Sequence, residues 1–591
     1  MKEKIPFVLL FTAILLKLCY FYSMTHVSHY FVLIVLISYV IYGGILILSK
    51  KPWISLSIAG LISFIMEGEV LYFRYFNKLL SFANFSQMKF VESVSNVLFG
   101  LIRPMDVLLF LDLLVLLFFC IKKKSFFKIK HKYTTALIVV SIVPFVTLAS
   151  FGNPTGMSVV NQEFFLYHVK DGFEIYSEKE EVILLEPTVE IVEEEIVEEV
   201  VKEYAGIFKG KNLITIQVES LQDMMLLREC NGQEIMPFLN SLVESDSFYF
   251  SSYYQQLGRG NTSDSEFSSH NSLYPSMEGI SYDRYQNTEF RGLPVLLQEL
   301  GYETMAFHGN EASFWCRDVA YPNQGFNEFY SKERLEMDEV IGMGLSDTSL
   351  FRQGVEILKN TQGPFYGFFV TLTNHNPYEL PEELVDIDVG DIKGEFLGNY
   401  IESVRYTDRA LEAFYNELDE AGLLDDTVII IYGDHHGIAC MDDYYKKQVS
   451  DFIGYEYDFD EMMNIPLIIH SKDSGVSKAD DHVFDAQDLL PTLVNLFGID
   501  ASLKMMGQDM LNTEDYFALF QTYMVTGSFI QNDIVFEMSR DSVFENSRAY
   551  NRKTREPVDL ELCRVGYNRA LYEIALSKFI LENNNVKKNI D

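Results

Sequence analysis

The chain has 591 residues, beyond the roughly 100–200 of one ordinary domain, and carries 84 acidic against 47 basic side chains, a formal net charge of −37. So acidic a chain is repelled at long range by nucleic-acid phosphates, which excludes a nucleic-acid partner. Its six cysteines include no C-x-x-C pair, which argues against a zinc knuckle or a thioredoxin-like centre and leaves any disulfide pairing undetermined.

Five apolar stretches open the chain, at about 5–23, 29–49, 53–73, 105–121 and 134–151. Each approaches the ~20 residues that carry a helix across ~30 Å of hydrocarbon. Basic residues fall at Lys2 and Lys4, at Lys50 and Lys51, and in a run from Lys122 to Lys132, whereas 24–28 has none. All three clusters share one side if the N-terminus is cytoplasmic, so five spans put everything after about 151 outside the cell. Within the spans, Lys17 is placed to snorkel towards an interface. Glu67, Glu69 and Asp112 are either functional or held by an interface or a neighbouring helix.

Residues 152–205 read as a linker. Its first part, 164–176, is aromatic and mixed and suits a membrane surface; the later EIVEEEIVEEVVKEY is an acidic helix or stalk. From 212 onwards, strand-like runs (LITIQV at 213–218, FYGFFVTLT at 365–373, TVIIIY at 427–432) alternate with helical patterns at 293–300, 347–360 and 399–421. The alternation predicts an α/β domain over 206–514, with a central, mainly parallel sheet flanked by helices. Short strand-like pieces and a helix at about 565–583 predict a small C-terminal α+β subdomain over 515–591.

Open α/β sheets form their sites beyond the carboxyl ends of strands. Here the three runs end in Glu219-Ser220, in Asn374-His375 and in Gly433-Asp434-His435-His436. Glu219, Asp434 and His435 make a metal set of two carboxylates and one imidazole, suited to Mn²⁺ or Zn²⁺, with one position left open. Neighbouring Asp434 and His435 share a metal only if they leave the strand, and Gly433 suggests a turn there. In GRGNTSDSEFSSHNSLYP (258–275), Ser263 and Glu266 have capping-box spacing, which sets Thr262 just before a helix N-terminus. Such an end attracts phosphate, and a hydroxyl there can bind metal and attack phosphorus. Read alone, Thr262 is equally an exposed residue ahead of a capped helix. His308, Trp315 and Arg317 lie close together, Arg317 with a fork for phosphate oxygens and Trp315 with an indole N–H, although a buried structural Trp fits as well. His375 suits donation to phosphate or to a leaving oxygen.

With these blocks in view, the chain resembles the lipoteichoic acid synthase family, membrane members of the alkaline phosphatase/sulfatase superfamily. The resemblance rests on KGKNLITIQVESLQ (209–222), the 258–275 segment, FHGNEASFWCRD (307–318), TLTNHNPY (371–378), IYGDHHG (431–437) and DLLPTLVNLFGI (488–499). It implies a bacterial, multi-pass cell-membrane enzyme with its catalytic domain outside. It implies that Glu219, Thr262, Asp434 and His435 bind the metal, usually Mn²⁺ with Mg²⁺ or Zn²⁺ as substitutes, and that Thr262 is the nucleophile. His308, Trp315, Arg317 and His375 match the substrate pocket. The donor it implies is phosphatidylglycerol, whose glycerol phosphate passes through Thr262 to a glycolipid-anchored polyglycerolphosphate chain with release of diacylglycerol. Asn310, Cys316 and His436 depart from the family's usual residues and leave the acceptor open.

A sulfatase needs C/S-x-P-x-R, which Thr262-Ser263-Asp264-Ser265-Glu266 does not supply, and a two-zinc phosphatase needs more ligands. A phosphoethanolamine transferase, and a non-catalytic membrane scaffold, remain as alternatives. Primase and polymerase are not distinguished by sequence.

Overall fold

The computed structural model describes residues 5–48, 51–82, 101–121, 154–176, 202–501 and 503–583. The chain gathers into two compact units. One comprises residues 1–181 with 523–525 and 536–549; the other comprises the rest.

In the first unit, helices Ile5–Met24, Phe31–Leu48 and Pro52–Phe76 coincide with the first three predicted spans, and the fourth is a 3-10 turn, Pro104–Phe110, running into the helix Leu111–Ile121. Among the described residues, two helices are long and apolar enough to cross a membrane, Pro52–Arg74 and Pro104–Ile121; Val8–Met24 and Phe31–Leu46 are shorter apolar helices. The predicted fifth span at 134–151 lies outside the described residues, as do most of the basic clusters and the acidic part of the linker. Pro52 sits in the first turn of its helix, where its missing N–H is no loss, and Asn77 in left-handed conformation ends it.

Lys17 does not snorkel. It is fully buried and donates to Ser63 at 2.7 Å and to Tyr42 at 3.2 Å, with the Asp112 carboxylate 3.3 Å away. Tyr42 in turn donates to Asp112. All four helices thus contribute to one buried polar knot. The ammonium stays inside because an unpaired Asp112 there would be far costlier than the pair. Glu69 is held likewise, 2.9 Å from His168 and accepting from the Leu80 N–H at 2.8 Å.

The second unit is built on a nine-stranded sheet. In chain order its strands are β1 (Asn212–Val218), β2 (Ser247–Tyr254), β3 (Glu303–His308), β4 (Glu328–Tyr330), β5 (Phe365–Val370), β6 (Thr427–Gly433), β7 (Asn464–His470), β8 (Ser477–Asp480) and β9 (Phe484–Asp485). They lie in the order β8-β2-β7-β6-β1-β5-β3-β4, with β9 also beside β2. The sheet is mixed: β7 runs antiparallel to both neighbours, and the other pairs are parallel. β5 and β6 are buried at every position, as befits parallel strands covered on both faces. The register of β7 shifts at Pro466, which has no N–H for the ladder.

Leu293–Glu299, Asp347–Leu358 and Phe396–Glu420 form close to the predicted helical stretches. The C-terminal strands, 517–520, 528–531, 534–537 and 548–551, make a separate four-stranded sheet, and helix Arg564–Glu582 sends Leu576, Ile580 and Leu581 into the core of the second unit.

Register decides where the site can be. Val218 faces Gly433, Gln217 faces Val370, and Val370 faces His308. The carboxyl ends of β6, β1, β5 and β3 therefore line up along one rim.

Candidate metal and phosphoryl-transfer site

Glu219 is the first residue past β1, and its main chain is fixed on both sides. Its N–H donates to Thr371 Oγ1 at 2.9 Å, and its carbonyl accepts from Asn374 Nδ2 at 2.8 Å. Ser220 follows in left-handed conformation (φ 56°), a strained setting for a non-glycine residue. The turn lets the Ser220 N–H reach Asp434 Oδ1 at 2.7 Å while its hydroxyl donates to Glu219 Oε1 at 2.8 Å.

Asp434 and His435 leave the end of β6 as a loop, as the sequence required. Gly433, however, makes no turn. It is the last paired residue of β6, and a Cβ there would lie 2.0 Å from the Leu221 carbonyl oxygen. Glycine is needed for close backbone approach. Asp434 Oδ1 also accepts from the His435 N–H at 2.6 Å, whereas Oδ2 is buried without a hydrogen-bond partner. His435 Nδ1 lies 3.0 Å from the His436 carbonyl, which fixes the proton on Nδ1 and leaves Nε2 as the lone-pair nitrogen.

Thr262 opens the helix Thr262–Asn271, with Asn261 as N-cap residue. The predicted capping box does not form. The helix starts two residues earlier than that box requires, so Ser263 Oγ donates back to the Gly260 carbonyl at 3.0 Å and Glu266 turns into the interior. Asp264 fastens the approach instead, one carboxylate oxygen accepting from the N–H groups of Gly260 (2.6 Å) and Gly258 (3.1 Å). Every residue of this helix after Thr262 is buried. From below, Gln217 Nε2 donates to the Thr262 carbonyl at 3.2 Å, and Tyr432 OH donates to Gln217 Oε1 at 2.8 Å. A glutamine in the otherwise apolar run LITIQV was the signal for this support, one the sequence reading passed over.

These elements converge. Thr262 Oγ1 is 3.5 Å from Glu219 Oε2 and 3.5 Å from His435 Nε2. His435 Nε2 is 3.5 Å from Glu219 Oε1 and 3.4 Å from Asp434 Oδ2. Ligand atoms of Glu219, Asp434 and His435 all lie within 4.8 Å of one another. Burial, reinforced by the Glu219 charge, pushes the Asp434 carboxyl up to about 8. Burial opposes the His435 imidazolium, but the carboxylates of Asp434 and Glu219 outweigh it and raise its pKa. Two acids, an imidazole and a hydroxyl around one point, with one buried carboxylate oxygen unmatched, fit a divalent cation; oxygen and nitrogen donors of this kind suit Mn²⁺, Mg²⁺ or Zn²⁺.

The predicted substrate residues come from β3, from the segment that follows it and from the segment that follows β5. His308 ends β3 and is buried, its Nδ1 3.1 Å from the Val370 carbonyl; burial and the nearby Arg317 charge push its pKa down to about 3, so the ring is neutral. Trp315 and Cys316 both take left-handed backbone conformations (φ 59° each) just before the helix Arg317–Gln324. Arg317 turns one edge of its guanidinium to Glu266, Nε donating at 3.1 Å and Nη2 at 2.5 Å, while Nη1 is buried without a hydrogen-bond partner. Glu266, freed of any capping role, competes successfully for the guanidinium. His375 is half-buried, with Nδ1 2.9 Å from the Asn376 carbonyl.

Comparisons with known proteins agree with this fold. Residues 211–499 match the sulfatase family model, and residues 1–162 match that of the lipoteichoic acid synthase N-terminal domain. Lipoteichoic acid synthase 1 of Bacillus subtilis (strain 168) is 30% identical over 546 residues, covering 87% of this chain and 84% of that protein. Lipoteichoic acid synthase of Staphylococcus saprophyticus is 30% identical over 539 residues, covering 86% and 81%. The crystal structure of the lipoteichoic acid synthase LtaP from Listeria monocytogenes superposes with a TM-score of 0.61 at 29% identity, covering 64% of this chain and 94% of that one. Sequence blocks, fold, N-terminal helices and rim residues lead to one conclusion: the chain belongs to the lipoteichoic acid synthase family.

Proposed function

We propose that this protein is a phosphoglycerol transferase of the cell membrane, with its N-terminus cytoplasmic and its catalytic unit outside. It takes glycerol phosphate from phosphatidylglycerol, carries it on Thr262, and passes it to a glycolipid-anchored polyglycerolphosphate chain. The observation that carries the reading is the position of Thr262 Oγ1, 3.5 Å from both Glu219 and His435 at a helix N-terminus.

Glu219, Asp434, His435 and Thr262 would hold the cation, with Mn²⁺ the expected ion. Bound there, it lowers the pKa of the Thr262 hydroxyl and neutralises charge on the phosphate. The chain's own groups do the rest. The N–H groups of Ser263, Asp264 and Ser265 already donate to the Gly260 and Asn261 carbonyls, so the helix beginning at Thr262 favours the incoming phosphate through its dipole and not through free first-turn donors. Thr262 gives up its proton to water and its oxygen bonds to phosphorus; the bond from phosphorus to the diacylglycerol oxygen breaks, and that oxygen leaves protonated, His375 supplying the proton and regaining one from water. The terminal hydroxyl of the acceptor then attacks phosphorus, and Thr262 departs as the alcohol. His308, Trp315 and the remaining Arg317 nitrogen, Nη1, bind the glycerol phosphate group.

The test gives the purified full-length protein labelled phosphatidylglycerol and Mn²⁺ and follows both diacylglycerol and product length. Diacylglycerol with one added unit identifies a primase, and long chains a polymerase. Thr262→Ala is expected to lower turnover by ~10³-fold or more and to abolish the labelled protein adduct, and stripping the metal is expected to do the same reversibly. Undiminished lipid turnover in Thr262→Ala, or turnover of phosphatidylethanolamine in place of phosphatidylglycerol, would overturn the reading.

A further inference from the structure

Asp347 is the first residue of the helix Asp347–Leu358 and is fully buried. It is not needed to cap that helix, because Ser346 Oγ already accepts from the Ser349 N–H at 3.1 Å. Its carboxylate turns instead to the segment that follows β5. Oδ1 accepts from the N–H groups of Leu372 at 2.8 Å and Thr373 at 3.1 Å, and the Asp347 N–H donates to Thr373 Oγ1 at 2.9 Å. Three bonds therefore tie the helix start to residues 371–375.

The same segment holds Glu219 by both of its main-chain groups, through Thr371 Oγ1 and Asn374 Nδ2. It also carries His375. The other Asp347 oxygen, Oδ2, is buried and without a hydrogen-bond partner. An unmatched carboxylate oxygen in a dry interior is unfavourable, and it persists where the remaining bonds of the group matter.

We propose that Asp347 is a positioning residue of the site: by fixing segment 371–375 it sets the attitude of Glu219 towards the cation and of His375 towards the leaving oxygen. The inference rests on the reading of Glu219 as a metal ligand. Asp347 itself touches neither substrate nor metal. Residues that orient metal ligands at one remove typically change metal affinity by about 10–100-fold when removed.

The experiment uses the full-length protein, stripped of metal, with Mn²⁺ binding read directly from the paramagnetic resonance of the free ion. Asp347→Ala is expected to weaken Mn²⁺ binding by ~10–100-fold and to lower diacylglycerol release mainly through kcat. Asp347→Asn keeps an oxygen for the Leu372 and Thr373 N–H groups and is expected to restore binding to within about threefold of the original, well inside that range. Thr371→Val, which removes only the acceptor for the Glu219 N–H, is expected to weaken binding about tenfold, and it decides the matter if Asp347→Ala does not accumulate as folded protein. Folded Asp347→Ala or Thr371→Val with unaltered Mn²⁺ affinity would overturn the proposal. If Glu219→Gln also binds Mn²⁺ like the unaltered protein, the metal reading itself fails and takes the proposal with it. Loss in Glu219→Gln alone sinks only the role of Asp347.

Discussion

Arg317 and Glu266, 51 residues apart, meet as a buried ion pair beside the site, with Nε at 3.1 Å from Oε1 and Tyr321 OH donating to the second carboxylate oxygen at 2.7 Å. Glu266 lies on the helix that begins with Thr262, so this pair joins that helix directly to the segment of Trp315. Removing Glu266 strands a guanidinium in the interior. Glu266→Ala is expected to destabilise the protein by about 3–5 kcal/mol, read by denaturant unfolding of the purified protein. Arg317→Lys, a single point charge unable to serve Glu266 and substrate together, is expected to lower kcat/KM about tenfold or more.

Gly433 tests the role of backbone approach. The Leu221 carbonyl oxygen occupies the place of a Cβ, at 2.0 Å. Gly433→Ala forces the segment after β1, at Leu221, away from the end of β6 just before Asp434. A loss of ~1–3 kcal/mol in stability is expected, together with weaker Mn²⁺ binding measured by titration of the metal-stripped protein.

Asp223, four residues past Glu219, gives a pH dependence. Burial pushes its carboxyl up to about 7, against the opposing effect of the Tyr249 hydroxyl, which donates to it at 2.7 Å. The folded chain therefore holds this proton between about pH 4 and 7, where the unfolded chain has released it, so stability falls as pH rises through that window. Asp223→Asn keeps an oxygen for Tyr249 and cannot ionise. Its melting temperature is expected to equal that of the unaltered protein near pH 4 and to exceed it at pH 8, by up to ~4 kcal/mol in stability. Equal melting curves at both pH values would refute the assignment.

Lys17 and Asp112 are predicted to depend on each other. Lys17→Met alone leaves a buried carboxylate unpaired and is expected to remove about 3–5 kcal/mol; Lys17→Met with Asp112→Asn is expected to regain most of it. Thermal unfolding of the detergent-solubilised protein compares the two, and additive losses would refute the pairing.

Much of the site was legible in the sequence because the sheet is largely parallel: each strand that ends in a reactive residue delivers it to the same rim. Glu219, Asp434, His435 and Thr262 could be gathered from that rule and from the recognisable blocks around them. What stayed hidden depends on which of several partners a side chain meets. The spacing of Ser263 and Glu266 satisfies a capping box, yet nothing local says that Arg317 will offer Glu266 a stronger bond. Lys17 near a span's end looks like a snorkelling lysine until Asp112 is found opposite. Gly433 reads as a turn because a close approach by Leu221, more than 200 residues earlier in the chain, leaves no local trace. Asp347 lies in a stretch that reads as an ordinary helix start.

The helix that begins at Thr262 carries one further implication. Ser268 donates to the Gln256 carbonyl, Ser269 meets Tyr432, His270 meets Tyr366, and Asp264 receives three N–H groups from two loops. Each of these side chains is mortgaged to a different neighbour, so exchanging any one disturbs a second place in the molecule. Residues 311–316 are more open to solvent: Glu311 and Ser313 are exposed and Trp315 is half-exposed. Divergence within the family thus has its freedom in that short segment, while the helix that begins at Thr262 is the part that descent can least alter.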